Sequence, residues 1–448
     1  MTVTAIVDEG LGNSSYQVDL GDGGVLVVDP ERDPRPHLAR LERAALRPRF
    51  VVETHLHADF VSGGRELTAV GAELLAPEGS RLTFPHRPLH DGDELDLGGL
   101  TLRVIATPGH TPEHLSYLLL DGAKPMALFS GGTLMTGGVA RTDLLSPEDT
   151  EPLARDAYRS IRDRLFTLPD HLPVYPTHGS GSFCSIGTGT ERTTTIGAEK
   201  RFNPLFAGNA TEDDFVQRLL AGYGTYPPYF HELREVNRQG PSVLGASPPA
   251  LRHLSVVDLD AALSQGAELV DTRSVDAFAS GHIPGSLSNS WRKSFATWLG
   301  WLVPRNTPLV FITDETVDHQ DLTWAVLTIG FENLAGVLIG GVPAWKEAGR
   351  PVERIQIVGD PEDAAARMLV DVRQGSEYEE GHNPSAVHIE LGSVAQAADS
   401  LPPEELLVHC GHGERAMTAA SLIARIGRRD VAVFQGGPEG LGPVVAGS

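Results

Sequence analysis

The chain has 448 residues, a formal net charge of −23 and a pI near 5.1, and hydrophobic residues make up 41% of it. This composition supports ordinary globular cores, and the length indicates about three domains. An acidic surface repels phosphate backbones, so nucleic acid is not expected as a partner. Neither a membrane span nor a signal peptide is predicted, and two cysteines cannot build a disulfide framework, so we expect a cytoplasmic protein.

Four segments in the first half each predict a buried strand that ends in polar or Gly-rich residues. They are GVLVVDP (24–30), FVVETHLHAD (50–59), LTLRVIATPGH (100–110) and PMALFSGG (125–132). Two helices are predicted further on, at 150–168 from the spacing of apolar residues and at 211–222 from a capping signal. Functional residues placed directly after strands are typical of an α/β sandwich.

After a Gly/Pro/Ser-rich segment at 237–254, the chain repeats itself with an offset of 100. The recurring residues are Val270, Asp271, Arg273, Gly281, His282 and Pro284, which match Val370, Asp371, Arg373, Gly381, His382 and Pro384. Each copy then shows an Ile-Gly pair and later a Gly-Gly pair. The pattern indicates a duplicated α/β module and predicts three domains, at 1–237, 250–352 and 358–448.

Four histidines in the first half follow predicted strands and form a pattern typical of metal sites. His55 and His57 lie with Asp59 in THLHAD, and His110 and His178 follow two later strands. Because side chains alternate along a strand, positions 55 and 57 should share a face. Imidazole and carboxylate groups are common ligands of zinc and iron. We therefore predict a metal site formed by His55, His57 and His110, with Asp59 and His178 either orienting these ligands or forming a weak second locus.

Motifs throughout the first half resemble the metallo-β-lactamase superfamily, and within it the persulfide dioxygenases that are fused to rhodanese modules. They are NSSYQV, VVDP, THLHADF, PGHTPEH, RTDL, YPTHGSGSFC and ERTTTIGAEKRFNP. The resemblance implies an αββα sandwich and, in the dioxygenase branch, one ferrous iron on two histidines and one aspartate. Carried over to this chain, the two histidines are His55 and His110.

Two positions depart from the pattern of that family. Phe60 stands where a histidine of a second metal would be, and Gly132 stands where members read aspartate in F-[ST]-G-D-T-L. The change at 132 removes the carboxylate that the iron triad requires. Three histidines with room for water resemble the catalytic zinc sites instead. We expect one metal ion, zinc rather than iron, or else an empty pocket.

Two more residues match positions of the same family near the substrate. Arg141 in RTDL corresponds to a substrate-side arginine, and Cys184 to a cysteine of the rhodanese-fused members. An ion pair with Asp143 is an alternative role for Arg141, and a buried inert thiol accounts equally well for Cys184.

A second pattern, LLVHCGHGERAMTAASLIARIG, predicts a strand that enters a loop at Cys410 and a helix that begins near Ala416. Glycines let the backbone N–H groups of such a loop turn inward, and the helix N-terminus adds positive potential. Together with Arg415 these features should favour a thiolate or persulfide anion. The C-x₄-R loop resembles the active loop of rhodaneses, which implies Cys410 and Arg415 as catalytic residues. The resemblance also implies a substrate contact from the loop residues, which are Gly411, His412, Gly413 and Glu414.

The first copy of the repeat has no cysteine at the equivalent place. An offset of 97 puts Thr313 opposite Cys410 and Asp318 opposite Arg415. Without a thiol this copy cannot carry sulfane sulfur, and we expect it to be a spacer or the surface of a homodimer.

These features predict a protein of sulfane-sulfur metabolism that acts as a sulfurtransferase through a Cys410 persulfide. Its fold class is α/β, with a metallo-β-lactamase-type αββα sandwich followed by two rhodanese-like α/β domains. A low-molecular-weight persulfide, thiosulfate or sulfite is the expected substrate. Three alternatives remain open for the first domain: an active metal-dependent persulfide dioxygenase, a zinc hydrolase, and a domain that binds or senses persulfides or thiols without turnover.

Overall fold

The chain divides into two compact units in a computed structural model that describes residues 2–187, 191–360 and 367–446. One unit comprises Met1–Pro249 with Trp324–Gly330, and the other comprises Ala250–Thr323 with Phe331–Ser448. Among the described residues, no helix has both the length and the apolar character needed to span a bilayer.

The first unit is built on two six-stranded sheets. Their strands are β1 (Val3–Asp8), β2 (Asn13–Asp19), β3 (Gly24–Val28), β4 (Arg47–Val52), β5 (Glu73–Pro77), β6 (Arg87–Leu89), β7 (Glu94–Asp96), β8 (Leu100–Ala106), β9 (Leu115–Asp121), β10 (Lys124–Gly131), β12 (Pro173–Pro176) and β14 (Thr194–Thr195), and a small separate ribbon consists of β11 (Gly138–Ala140) and β13 (Ser185–Gly187). The sheet orders are β1-β2-β3-β4-β5-β6 and β14-β12-β10-β9-β8-β7.

Alternation along the strands explains why the two sheets stack. In β3, Leu26 and Val28 face the core between the sheets, whereas Val25 and Val27 face a second core that also contains Leu41 of a covering helix. The other sheet alternates in the same way between the central core and the helices on its outer face. Four layers result, and the predicted αββα sandwich is confirmed.

Among the described residues before Pro249, the helices of the first unit are Arg35–Arg43, Gly64–Ala69, Pro147–Arg159, Ile196–Phe202, Glu212–Ala221 and Phe230–Gln239. The predicted helix at 150–168 begins earlier because Ser146 accepts a hydrogen bond from the Asp149 backbone N–H and Pro147 fits the first turn. It ends at Arg159 in a π-turn and a 3₁₀ turn. The predicted capping signal is confirmed at Thr211, which forms a reciprocal capping box with Asp214.

The second unit contains two parallel five-stranded sheets of the same topology. The first has the strands β15 (His253–Leu254), β16 (Glu268–Asp271), β17 (Leu287–Ser288), β18 (Leu309–Ile312) and β19 (Leu334–Leu338), and the second has β20 (Gln356–Val358), β21 (Met368–Asp371), β22 (Val387–His388), β23 (Leu406–His409) and β24 (Val431–Phe434). Their orders are β15-β19-β18-β16-β17 and β20-β24-β23-β21-β22. The predicted duplication is therefore confirmed, and we call the halves the Cys-less module and the Cys410 module.

Helices cover both sheets of this unit. They are Val256–Ser264, Val275–Ser280, Phe295–Leu302, His319–Thr328 (which crosses the division between the units), Gly341–Glu347, Gly375–Glu380, Val394–Ala397 and Glu414–Arg425.

The repeated Asp-x-Arg sequence forms the same ion pair in each module. Arg273 contacts both carboxylate oxygens of Asp271 and donates to the carbonyl of Gly281. Arg373 repeats these contacts with Asp371 and Gly381. Both aspartates are fully buried. Each pair joins a strand end to the end of the following helix, so these residues have a structural role.

Candidate metal centre and sulfur-transfer loop

Three histidines of the predicted metal site, His55, His110 and His178, converge at one end of the sandwich. His55 follows β4 of one sheet, while His110 and His178 follow β8 and β12 of the other. The ring centres of these three side chains lie 4.7 to 5.3 Å apart, and all three are buried. The expectation that β4 extends through His57 is wrong, because the strand ends at Val52 and the motif lies in the loop that follows.

Hydrogen bonds assign the protons of His55 and His110. The Thr54 hydroxyl donates to Asp29 Oδ2 at 2.7 Å, so it accepts from His55 Nδ1 at 2.8 Å. His110 Nδ1 lies 2.6 Å from the Arg141 carbonyl, which can only accept. Burial, together with the neighbouring histidines, holds the pKa of both rings well below its usual range. Both rings are therefore neutral and carry a lone pair at Nε2.

A hydrogen bond also places a proton on Nδ1 of His178. Asn13 donates through its amide nitrogen to Asp59 Oδ2 at 2.8 Å, so its oxygen faces His178 Nδ1 at 2.9 Å. The Nε2 atoms of His178 and His55 then face each other at 3.3 Å, and Nε2 of His110 has no partner among the described residues. Three ring nitrogens directed at one point fit a metal cation.

Metal-ligand spacing in the described residues singles out three groups. The ligand atoms of His55, His110 and His178 lie within 4.8 Å of one another, as do those of His57, Asp59 and His178 and those of Asp29, Glu53 and His57. The set predicted from sequence, with His57 as its third member, is not among them, and His178 takes that place. Asp59 accepts a hydrogen bond from Asn13, and although burial raises its pKa, the effects of His178, His57 and Asn13 together lower it to about 2.

His57 is directed toward two carboxylates. Its Nε2 lies 3.2 Å from Glu53 and 3.3 Å from Asp29, and its Nδ1 has no hydrogen-bond partner in the described residues. Burial alone would lower the pKa of His57, but the charges of Asp29 and Glu53 raise it to about 10. The ring of Phe60 stacks on it at 4.1 Å and is fully buried. Phe60 thus packs against His57 inside the site.

Gly132 has little room for a side chain. A Cβ there would lie 2.8 Å from His110 Cδ2 and 2.9 Å from the Ala140 Cβ. The N–H of Gly132 donates to Nε2 of His114 at 3.0 Å. His114 stacks on His55 with ring centres 5.0 Å apart, and burial lowers its pKa to about 3. Sequence reasoning missed His114, although it lies in the PGHTPEH motif.

Replacing Gly132 by alanine should therefore disturb the metal centre. Because the new methyl group must displace His110, we expect a loss of about 1–3 kcal/mol in the free energy of unfolding, together with a lower metal content. Elemental analysis and thermal unfolding measure both effects. Gly224→Ala is the control, since a Cβ at that exposed position meets no atom within 4 Å. Full metal content with an unchanged melting temperature in Gly132→Ala would contradict the expected crowding.

The side chain of Arg141 is held by an ion pair, hydrogen bonds and a ring contact. Its guanidinium contacts both oxygens of Asp143 at 2.7 and 2.8 Å, donates to two backbone carbonyls and stacks on Tyr226 at 4.1 Å. The arginine is buried, and its own carbonyl positions His110. These contacts favour the ion-pair alternative for this residue. Cys184 is completely buried, and burial holds its thiol pKa well above the usual value, which favours an inert thiol.

In the second unit, Cys410 lies directly between β23 and the helix Glu414–Arg425. Gly413 is the residue before this helix and has a φ of 110°, a conformation that favours glycine. Its N–H donates to Cys410 Sγ at 3.1 Å. The loop thus directs a backbone donor and a helix N-terminus at the sulfur, as the sequence predicts for Cys410 and Gly413.

The other residues of the loop differ in their surroundings. Both terminal nitrogens of Arg415 contact the two oxygens of Glu377, at 2.5 and 2.7 Å. The guanidinium also lies 5.8 Å from the ring centre of Trp298, a residue of the Cys-less module. His412 is exposed, and Gly411 and Glu414 are half-buried. In the Cys-less module, Thr313 follows β18 as Cys410 follows β23, and its hydroxyl lies 3.1 Å from His319.

Family models match three stretches of this chain. Residues 8–178 match the metallo-beta-lactamase superfamily, and residues 255–348 and 356–441 each match the rhodanese-like domain. A solved metallo-beta-lactamase structure from Staphylococcus aureus aligns with a TM-score of 0.65 at 27% identity, over 75% of this chain and 98% of that one.

Curated relatives agree with these matches. A probable metallo-hydrolase of Burkholderia pseudomallei is 31% identical over 49% of this chain and 86% of its own length. Human mitochondrial persulfide dioxygenase ETHE1 is 33% identical over 38% of this chain and 64% of that protein, slightly less than two thirds of it. The chain belongs to the metallo-β-lactamase superfamily. More particularly, it is a fusion in which a metallo-β-lactamase domain with persulfide dioxygenase relatives precedes two rhodanese-like domains, as the sequence predicts.

Proposed function

We propose that this protein is a sulfurtransferase that carries sulfane sulfur on Cys410. The observation that carries the proposal is the position of Cys410 Sγ, which accepts a hydrogen bond from the N–H of Gly413 at the start of a helix. A thiolate or a persulfide anion gains stability from both features. The rhodanese-like match of the surrounding module supports the same chemistry.

The proposed reaction has two steps that use one sulfur atom. After losing its proton, the Cys410 thiolate attacks the outer sulfur of thiosulfate, and the S–S bond breaks so that sulfite leaves with the electron pair. The enzyme then holds a Cys410 persulfide anion. In the second step an acceptor nucleophile such as cyanide attacks the outer sulfur, and the thiolate leaves. Cys410 returns to its starting state, and no external oxidant or reductant is needed.

For the first domain we propose one metal ion held by His55, His110 and His178, with a persulfide-type substrate. The convergent Nε2 atoms of these three rings support a metal, and the persulfide dioxygenase relative supports the substrate class. A divalent ion bound there would act as a Lewis acid with open coordination positions. The chain's own residues orient the rings, since Thr54, Asn13 and the Arg141 carbonyl hold the three Nδ1 protons. This three-histidine donor set favours zinc over iron.

Mass analysis tests the sulfur-carrier role directly. Incubation with thiosulfate should add one sulfur atom to the peptide that contains Cys410, and cyanide should remove it. The peptide that contains Cys184 serves as an internal control and should stay unmodified, because that thiol is buried and protonated. A sulfur adduct confined to Cys184, or none on either cysteine, would contradict the proposal.

A further inference from the structure

The Cys-less module packs against the helix whose N-terminus carries the Cys410 loop. The N–H of Ser288, in β17, donates to Ser421 Oγ of that helix at 3.1 Å, and Arg425 of the same helix pairs with Glu268. The two modules approach closely, since a Cβ on Gly392 would lie 2.0 Å from Nε1 of Trp301. Further along the same segment, Trp298 lies 5.8 Å from the guanidinium of Arg415, so the residues that follow β17 pass the sulfur-transfer loop.

Among those residues, Arg292 has an unusual environment. Its Nε is buried and has no hydrogen-bond partner in the described part of the chain. The chain on both sides of Arg292 contacts the Cys410 module, because Ser288 donates to Ser421 and Trp298 lies against the guanidinium of Arg415. Burial lowers the pKa of Arg292, while the charge of Glu414 acts in the opposite direction. A half-buried guanidinium without a direct carboxylate partner is costly unless an anion satisfies it.

Arg415 is engaged by other side chains and is not free to bind an anionic sulfur donor. Glu377 occupies both of its terminal nitrogens, and Trp298 covers its face. A sulfur donor such as thiosulfate brings two negative charges, which add to that of the Cys410 thiolate. A second cation would offset this charge, and Arg292 lies in the segment that contacts the Cys410 module, with a buried Nε that has no hydrogen-bond partner in the described residues.

We propose that Arg292 of the Cys-less module binds the oxyanion end of the sulfur donor, or of the sulfite that leaves, in the active site of the Cys410 module. The inference rests on the proposed sulfur transfer at Cys410. It assigns the Cys-less module a part in substrate selection rather than the role of spacer. Guanidinium groups suit this contact because their planar donors match the oxygens of an oxyanion.

Steady-state kinetics of the full-length Arg292→Gln variant test the proposal. Because one charge-assisted contact is lost, we expect the KM for thiosulfate to rise about tenfold or more. Loading of Cys410 from cysteamine persulfide, which has no oxyanion, should change little. Sulfite should inhibit the variant more weakly than the unmodified protein. Arg292→Lys, which retains the charge, should restore part of the affinity for thiosulfate.

Lys293→Gln is the matched control, because it removes an exposed positive charge one residue away. The proposal is overturned if Arg292→Gln leaves the KM for thiosulfate unchanged, if Lys293→Gln raises it equally, or if both sulfur donors are affected alike. Should Arg292→Gln fail to fold, Arg292→Lys and Arg292→Met provide the same comparison. If the unmodified protein does not transfer sulfur at all, the function proposed for Cys410 fails first, and this outcome is distinct from a failure of the Arg292 contact.

Discussion

Replacing Cys410 by serine should reduce thiosulfate:cyanide sulfur transfer to background. Serine keeps the size and the hydrogen bond from Gly413, but its oxygen cannot form a persulfide at neutral pH. Because the substituted atom is small and buried, the melting temperature should change little. Rhodanese activity and thermal unfolding, measured on the same preparation, separate lost chemistry from lost structure.

The second cysteine of the chain provides the control for this experiment. Cys184 lies completely buried in the first unit, and burial raises its thiol pKa well above the usual value. Cys184→Ser should therefore keep most of the transfer activity. If the two single variants behave alike, the assignment of Cys410 as sulfur carrier is wrong.

Protein purified without chelator should contain zinc rather than iron, and it should consume little or no O₂ when glutathione persulfide is added. The physical reason is the absence of a carboxylate from the triad, since Gly132 offers none and the three converging ligands are imidazoles. Elemental analysis and an oxygen electrode measure the two quantities. Stoichiometric iron with persulfide-dependent O₂ uptake would contradict the prediction and support an active dioxygenase.

Substitution of individual histidines locates the ion. His178→Ala and His110→Ala should each remove most of the bound metal, because both rings belong to the converging group. The exposed His90→Ala is the control and should retain full occupancy. Retention of metal in His178→Ala would favour the triad expected from sequence, in which His57 is the third ligand.

Sequence patterns predicted those parts of the molecule that depend on local spacing. The Gly-rich loop around Cys410 was predicted correctly because loop, strand and helix are consecutive in the chain. The duplicated modules were predicted because Asp271 and Asp371 recur with the same neighbours, and these make the same ion pairs.

Features that depend on contacts distant in sequence could not be predicted. The place of His178 beside His55 depends on Asn13, which lies 165 positions from His178 in the chain. The sequence predicts that β4 continues beyond Val52 because the apolar run and the metal motif are continuous, whereas the strand ends at Val52. Arg292 follows no periodic pattern and belongs to no recognised motif, so only the packing of the two modules draws attention to it.

The hydrogen bonds to Nδ1 of the three converging histidines have a consequence for stability. Asn13, Thr54 and the Arg141 carbonyl orient the rings when the sandwich folds, so the ligands are preorganised before a metal ion binds. Binding to the folded state alone adds RT ln(1 + [metal]/Kd), about 4 kcal/mol when free metal exceeds the Kd a thousandfold. The melting temperature of the first unit therefore becomes a measure of free metal concentration, and metal starvation alone could lower the amount of folded protein.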